Sequence, residues 1–254
     1  MHRRTLLAAT PLLLALPPRL PLAATPISRL GTPWWRARHE AKLAERTRKP
    51  IDLVFLGDSI TQDYERNGPP PWGNYQQVWQ HFYADRNPIN LGFTGDATSH
   101  LLWRITHGEI DAIAPKAVVI LIGANNLGRV HWSADETLTG IATILDETRR
   151  RLPHTQILLL SILPSIRSPW VDQTTQTINA SLATRYAKTP VLNITYLDLT
   201  PVFRSRDTTD KTLYTDPLLT PPEPTLHPSA EGQARMAAAL EPTLAKLMGD
   251  KRKQ

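Results

Sequence analysis

IDLVFLGDSIT, residues 51–61, is an apolar run that passes through a glycine into a polar segment. Its apolar part, Ile51–Leu56, lacks clear polar alternation, which is typical of a strand buried on both faces of a parallel sheet. Four further runs are likewise short and rich in leucine or β-branched residues: Pro88–Leu91, Ala117–Ile122, Gln156–Ile162 and Val191–Leu197. The sequence therefore predicts a sheet of five buried parallel strands.

Segments of helical length lie before, between and after these runs. Ser133–Arg151 begins with a capping box formed by Ser133 and Glu136, and Pro228–Met248 carries proline in its first turn. The others are Trp34–Arg48, Trp72–Tyr83, Thr98–Ile113 and Val171–Ala187. This alternation predicts the α/β class, as a three-layer α/β/α sandwich. The length of 254 residues suits one such domain, over residues 25–250.

Residues 1–24 are predicted to be a secretory signal peptide. Arg3 and Arg4 form a basic start, Leu6–Leu16 is a short apolar run, and Ala23 and Ala24 offer a cleavage site. The alternative, an uncleaved anchor, is disfavoured by the prolines in this segment. No later segment is long and apolar enough to cross a membrane, so we expect a secreted or periplasmic protein without stable membrane insertion.

Composition excludes several kinds of function. The chain has no cysteine, which excludes disulfides, thiolate metal sites and a cysteine nucleophile. The formal net charge is +6, but several of the cations lie in the predicted signal peptide and in the tail Lys251–Lys253. The part between is close to neutral, so no nucleic-acid partner is expected.

Three strand ends carry residues that could act on a ligand together. Ser59 follows the first strand, Gly95 the second and Asn125 the third, and ligands bind at the carboxyl ends of open parallel sheets. Ser59 could be a nucleophile or a helix cap. Gly95 could serve a turn and Asn125 a cap, but with the Ser59 N–H they would also provide three donors to one oxyanion. Their joint placement favours the oxyanion hole.

His227 is the candidate base among the eight histidines. It lies at the mouth of the last helix, whose positive end we expect to keep the ring neutral; the alternative is an ordinary surface histidine. Asp96 and His100 are spaced as a metal pair, but no third ligand at a telling spacing supports one, so a structural pair is favoured.

These pieces resemble the SGNH (GDSL-like) hydrolases, in the order Gly57-Asp58-Ser59, Gly95, Gly123-Ala124-Asn125 and His227. The stretches Asn90–Arg104 and His107–Asn126 are similar to the branch that contains the catalytic subunits of platelet-activating-factor acetylhydrolase. The resemblance implies a flavodoxin-like fold, Ser59 as nucleophile and His227 as base. It also implies an oxyanion hole of Ser59, Gly95 and Asn125, and no metal or organic cofactor. The related acetylhydrolase subunits dimerise, so the resemblance leaves open whether this chain forms a homodimer.

One position departs from the family pattern. The family carries an aspartate three residues before the histidine, and Pro224 occupies that place here. We predict that Glu223 replaces the acid, or that a carbonyl orients His227 in a Ser–His dyad. An impaired site is the third alternative, and Asp216 is a weaker candidate acid because it is farther away in sequence.

The expected activity is hydrolysis of small acyl esters, acetyl esters above all, on an extracytoplasmic polysaccharide. Four tryptophans are candidates to stack on sugar rings, although packing is the better interpretation of Trp103: Trp72, Trp103, Trp132 and Trp170. The alternatives are a non-catalytic carbohydrate-binding or accessory protein on the same scaffold, and an O-acyltransferase that passes the acyl group to a sugar.

Overall fold

Five short parallel strands form one sheet in the computed structural model, which describes residues 20–186, 193–206 and 208–253. Their order is β2-β1-β3-β4-β5, the flavodoxin-like arrangement, and all four pairings are parallel. The strands are β1 Leu53–Gly57, β2 Pro88–Gly92, β3 Ala117–Leu121, β4 Gln156–Leu160 and β5 Ile194–Leu197. The predicted fold class is confirmed, while residues 191–192 of the fifth predicted strand lie outside the described residues.

Eight α-helices connect and cover the sheet in the described part of the chain. They are α1 Pro33–Arg46, α2 Ser59–Gln62, α3 Tyr75–Phe82, α4 Thr98–Thr106, α5 Ala134–Arg151, α6 Pro169–Tyr186, α7 Thr200–Phe203 and α8 Ala230–Met248. A small antiparallel pair, β6 Arg204–Ser205 and β7 Thr208–Thr209, follows α7. Helix α4 packs on α5 and α5 on α6, while α8 packs on α3 and on the middle of the sheet. Strands covered on both faces explain the uninterrupted apolar runs.

Among the helix boundaries that differ from the prediction, those of α4 and α8 have a local reason. Helix α4 ends at Thr106 rather than at residue 113, because Gly108 adopts a φ of +101° that a helix cannot contain. Helix α8 begins at Ala230 with Ser229 as its N-cap. Pro228 therefore precedes the helix rather than forming its first turn, and it makes a β-bridge instead.

A fully buried ionic cluster supports the loop after β2. The Arg104 guanidinium donates through Nε to Asp96 Oδ2 at 2.8 Å, through Nη1 to Glu109, and through Nη2 to the carbonyl of Gly57 at 3.1 Å. His39 Nδ1 lies 3.0 Å from the other oxygen of Glu109. Arg104 thus bridges two buried carboxylates and ties the end of β1 to the loop that carries Gly95.

Arg104→Leu should lower the free energy of unfolding by about 3–5 kcal/mol, because it leaves Asp96 and Glu109 buried without their shared cation. Urea denaturation at neutral pH measures the change. The matched control is Arg235→Gln, which breaks an exposed ion pair with Glu231 and should cost less than about 1 kcal/mol. Equal losses in the two variants would contradict a stabilising role for the cluster.

Residues just before the predicted domain pack into the fold. Ala23 and Ala24 are buried, and the Ala23 carbonyl accepts a hydrogen bond of 2.8 Å from Thr98 Oγ1 on α4. A Cβ on Gly140 of α5 would lie 2.5 Å from the same carbonyl oxygen, so the glycine makes room for it. Residues 1–19 of the predicted signal peptide lie outside the described residues, and its boundary at residue 24 stays a prediction. Among the helices that are described, none combines the length and apolarity needed to span a bilayer.

Candidate active site

The turn after β1 presents Ser59 as the first residue of α2. Asp58 is the N-cap, and its Oδ1 accepts a hydrogen bond of 3.0 Å from the N–H of Ile60. Gly57 is needed because a Cβ there would overlap Thr61 and lie 2.6 Å from the Leu121 carbonyl oxygen. Asp58 takes the cap, so the hydroxyl of Ser59 is left for other chemistry. Ser59 Oγ lies 3.0 Å from Nε2 of His227, within reach for proton transfer.

His227 reaches the serine because hydrogen bonds from the N-terminal half of the chain hold the start of α8 in place. On α8, Gln233 donates to the Ile60 carbonyl at 2.8 Å, and in front of the helix the Pro228 carbonyl accepts from Tyr75 of α3 at 3.0 Å. These contacts join residues more than 150 positions apart in sequence. The predicted meeting of Ser59 and His227 is thus an outcome of helix packing.

Asp216 occupies the position of the third catalytic group. Residues 213–215 run antiparallel to residues 227–229, with main-chain hydrogen bonds of 2.8 Å at both ends. This pairing brings Asp216 Oδ1 to 2.6 Å from Nδ1 of His227. Asp216 Oδ2 accepts from the N–H groups of Leu226 at 2.7 Å and His227 at 2.6 Å, which fix the orientation of the buried carboxylate.

This arrangement corrects the prediction of Glu223, and the dyad alternative with it. Glu223 is exposed, and its backbone N–H donates to the Asp216 carbonyl at 3.0 Å, while its carboxylate makes no hydrogen bond to the described residues. The loop between residues 216 and 227 folds back on itself, so the acid that is farther away in sequence is the nearer one in space. No local pattern identifies Asp216, because its position depends on strand-like pairing across an eleven-residue separation.

The charge on Asp216 also corrects the expectation about the protonation of His227. Burial by itself lowers the pKa of His227, but the hydrogen bond and charge of Asp216, aided by Asp63 and Asp58, outweigh burial and raise the pKa above its usual 6.5. Nδ1 is the nitrogen next to the carboxylate, which leaves the neutral ring with Nε2 free to accept the serine proton.

Gly95, one of the three predicted oxyanion donors, lies in the loop after β2. The N–H of Gly95 has no hydrogen-bond acceptor within the described ranges, whereas its neighbours Thr94 and Asp96 donate theirs to Gln62 and Phe93. Gly95 has a φ of +76°, which favours glycine. The loop therefore offers an unpaired donor where the prediction requires one.

Asn125 links the two loops at this end of the sheet. Its Nδ2 donates to the carbonyl of Asp96, next to Gly95, at 3.0 Å, and lies 3.4 Å from Oδ2 of Asp58, next to Ser59. The structure thus brings the surroundings of Ser59, Gly95 and Asn125 together. Their joint role as an oxyanion hole remains a prediction.

Asp58 lies beside the nucleophile without carrying a full negative charge. Burial raises its pKa from 3.8 to about 7, although the N–H of Ile60 and the charge of His227 act in the opposite direction. The group is therefore partly protonated near neutral pH. A partly protonated neighbour repels an oxyanion that forms close to Ser59 less than a full carboxylate would.

The predicted sugar-stacking tryptophans have different surroundings. Trp72 meets His227 edge-on with ring centroids 5.6 Å apart, which places it at the site. Trp103 packs among Trp35, His39 and His107, so its role is packing. Trp170 is 42% exposed. Trp132 is half-buried, and its backbone N–H donates to the carbonyl of Asn126.

Asp96 and His100 are used for structure. Asp96 Oδ1 accepts hydrogen bonds from Arg29 at 2.7 Å and from Trp35 at 2.8 Å, and His100 Nδ1 accepts one from the N–H of Ala97 at 2.9 Å. In the part of the chain that the structure describes, no group of three or more His, Cys, Asp or Glu side chains is placed to hold a metal ion.

A five-stranded α/β/α fold with serine, histidine and aspartate in hydrogen-bonded sequence at its strand ends defines a serine hydrolase acting on carboxylic esters. The chain belongs to the GDSL-like lipase/acylhydrolase family, whose model matches residues 55–235. The resemblance to SGNH hydrolases is therefore confirmed.

Relatives with known names agree with this class. The chain is 29% identical over 176 residues to platelet-activating factor acetylhydrolase IB subunit alpha1 of Pongo abelii, covering 69% of this chain and 70% of the relative. Across such relatives the match spans between 53% and 78% of their length.

Two solved structures share the fold. A GDSL-like lipase from Bacteroides thetaiotaomicron is 21% identical with a TM-score of 0.62, covering 83% of this chain and 97% of the other. A mutant of an acetyl-xylooligosaccharide esterase from Geobacillus stearothermophilus is 20% identical with a TM-score of 0.54, covering 80% and 95%.

Proposed function

We propose that this esterase removes small acyl groups, above all acetyl groups, from a polysaccharide outside the cytoplasm. The observation that carries the proposal is an exposed aromatic cleft on the same edge of the sheet as Ser59. Trp170 at the start of α6 and His131 after the third strand lie with ring centroids 5.9 Å apart. Exposed aromatic faces among polar side chains suit sugar rings, which have apolar faces and hydroxyl rims.

The cleft adjoins the catalytic end of the sheet. It is lined by His131, Ser133, Glu136, Trp170, Gln173 and Thr177. The connection before α6 reaches the loop after β3, because Arg167 donates to the carbonyl of Ala124 at 2.8 Å. A bound glycan that extends from this cleft past Ala124 would bring an ester on a neighbouring sugar to Ser59.

Two further observations support the acyl group and the location. The curated relatives are acetylhydrolases, and one structural neighbour is an acetyl-xylooligosaccharide esterase. The basic and apolar start of the chain has the layout of a secretory signal peptide. An acetyl ester needs little space for the acyl group, so most of the binding energy would come from the alcohol side, where the cleft lies.

The test is release of acetate from O-acetylated xylan and from O-acetylated polyuronate by the purified chain, with the Ser59→Ala variant as the inactive control. We expect serine-dependent acetate release, and a raised KM with little change in kcat for Trp170→Ala. Serine acylation without release, relieved by adding an unacetylated sugar, would assign the chain to the acyltransferases instead. Hydrolysis of p-nitrophenyl acetate with no release from any acetylated glycan would contradict the polysaccharide substrate.

A further inference from the structure

Two arginine side chains end beside the oxyanion end of the site without a carboxylate partner. Within residues 20–186, 193–206 and 208–253, neither Arg129 nor Arg167 forms an ion pair. Arg29 reaches the same region, but its Nη1 is neutralised by Asp96 at 2.7 Å. Within the described residues, two cations near these groups are therefore left without a direct ion pair.

Arg129 lies against the bare face of Gly95. A Cβ on this glycine would lie 2.6 Å from Nη1 of Arg129, so the guanidinium occupies the space that any other residue would fill. The side chain of Arg129 is exposed and makes no hydrogen bond within the described chain. Its position is thus set by the shape of the loop after β2, and its donors remain available to a ligand.

Arg167 approaches from the other side of the loop after β3. Its Nη2 donates to the Ala124 carbonyl at 2.8 Å and its Nε lies 3.1 Å from Ser165 Oγ. The guanidinium of Arg167 lies against Gly128, where an added Cβ would overlap Nη1. Since Gly128 directly precedes Arg129, the two cations belong to one short stretch of surface.

The electrostatics place Arg167 close to the reacting groups. Burial lowers the pKa of Arg167, while the charges of Asp58 and Asp216 act in the opposite direction. The half-buried guanidinium is therefore within electrostatic reach of carboxylates on both sides of the Ser59–His227 pair. Burial also lowers the pKa of His100 to about 4, and among its neighbours Arg29, Arg104 and Arg129 act in the same direction.

A guanidinium without an ion-pair partner suits an oxyanion, which accepts charge-assisted hydrogen bonds from its N–H groups. We propose that Arg129 and Arg167 bind an anionic group, a carboxylate or a phosphate, on the sugar that carries the ester. This deepens the proposed function, on which it rests, by assigning an acidic glycan as the substrate. The arginines are then specificity determinants at the rim of the site.

Inhibition of p-nitrophenyl acetate hydrolysis tests this site separately from glycan turnover. The probes are methyl glucoside, methyl glucuronide and methyl glucoside phosphate, which share one ring and differ in charge. We expect the glucuronide or the phosphate to inhibit about tenfold to hundredfold more strongly than the neutral glycoside, as a charge-assisted contact allows. The preference should weaken as salt is added, and comparison of the two anions distinguishes a carboxylate site from a phosphate site.

Substitutions assign the preference to these side chains. The pair Arg129→Gln with Arg167→Gln should bring the inhibition constants of the anions to that of methyl glucoside, whereas Arg129→Gln alone and Arg167→Lys alone should each keep part of the difference. Arg150→Gln is the control, since Arg150 pairs with Glu147 on the surface of α5. Circular dichroism shows whether each variant is folded. Because Arg129 is exposed, its substitution should leave the packing of the loops unchanged.

The outcomes separate the two proposals. Equal inhibition by all three glycosides in the natural sequence, or an undiminished preference in the folded Arg129→Gln variant, would overturn the anion site. Anion preference without acetate release from any glycan would keep this site and reject the polysaccharide substrate. Acetate release from neutral and acidic glycans at equal kcat/KM would keep the esterase and reject the anion site.

Discussion

Ser59→Ala should lower kcat for p-nitrophenyl acetate by about 10⁶-fold, the size of loss seen when a serine protease loses its nucleophile. The reason is geometric: Ser59 Oγ lies 3.0 Å from His227 Nε2, so its removal prevents formation of the acyl-enzyme. The donors near Gly95 and Asn125 remain in the variant, and we expect the residual rate to exceed that in water. Steady-state rates of the two proteins at equal concentration measure the effect.

A covalent label provides a second readout for the same prediction. An organophosphonate should modify the natural chain on Ser59, with loss of activity, and should leave Ser59→Ala unmodified by mass spectrometry. Ser181→Ala, on the exposed face of α6, is the control and should keep both the label and the rate. A label on another serine, or turnover in Ser59→Ala close to the natural rate, would show that the nucleophile lies elsewhere.

Asp216→Asn should lower kcat by about 10⁴-fold, corresponding to about 5 kcal/mol of transition-state stabilisation. The amide cannot stabilise the imidazolium that forms when His227 accepts the serine proton, and it favours the wrong tautomer. The hydrogen bond of 2.6 Å between Asp216 and His227 Nδ1 is the contact that changes. Circular dichroism and kcat measured on the same preparation separate this effect from a loss of folding.

The pH profile tests the electrostatic role of Asp216, because a purely structural role of Asp216 would not shift the profile along the pH axis. His227 must be neutral to act as a base, and Asp216 holds its pKa above 6.5, so kcat/KM of the natural chain should fall as pH drops through a value above 6.5. Loss of the Asp216 charge lowers the pKa of His227, so the acidic limb of Asp216→Asn should move to lower pH.

Glu223→Gln is the matched control for Asp216→Asn, because Glu223 is exposed and lies in the same loop. Its kinetics and pH profile should equal those of the natural chain. If Glu223→Gln lost activity by orders of magnitude while Asp216→Asn kept it, the loop would adopt a different arrangement during catalysis and the assignment of the acid would be wrong.

The parts of the site that could be predicted are those with a local signature. Buried parallel strands produce continuous apolar runs, so the end of each strand can be located from the chain alone. Gly57 ends β1 two residues before Ser59, and Gly95 lies three residues after β2, where close approach or a positive φ demands glycine. The order of Ser59, Asn125 and His227 along the chain supplied the family resemblance.

The third acid and the arginines carry no such signature. Asp216 reaches His227 only because residues 213–215 pair with residues 227–229, and this pairing depends on contacts with α3 and α8. Pro224 occupies the place of the family's aspartate, and Asp216 supplies the carboxylate next to His227 instead. Arg129 likewise lies against Gly95, and Arg167 lies against Gly128. In both cases the glycine is distant in sequence from the arginine.

By itself the sequence determined the α/β class and the five strands, because burial on both faces restricts residue type locally. The roles of Ser59 and His227 came from the family resemblance. Tertiary structure alone decided which carboxylate orients His227, where the Arg104 cluster lies and which cations stay unpaired. The physical reason is that hydrogen bonds and charge pairs depend on distance in space, and packing of helices and loops brings together groups that sequence separation keeps apart.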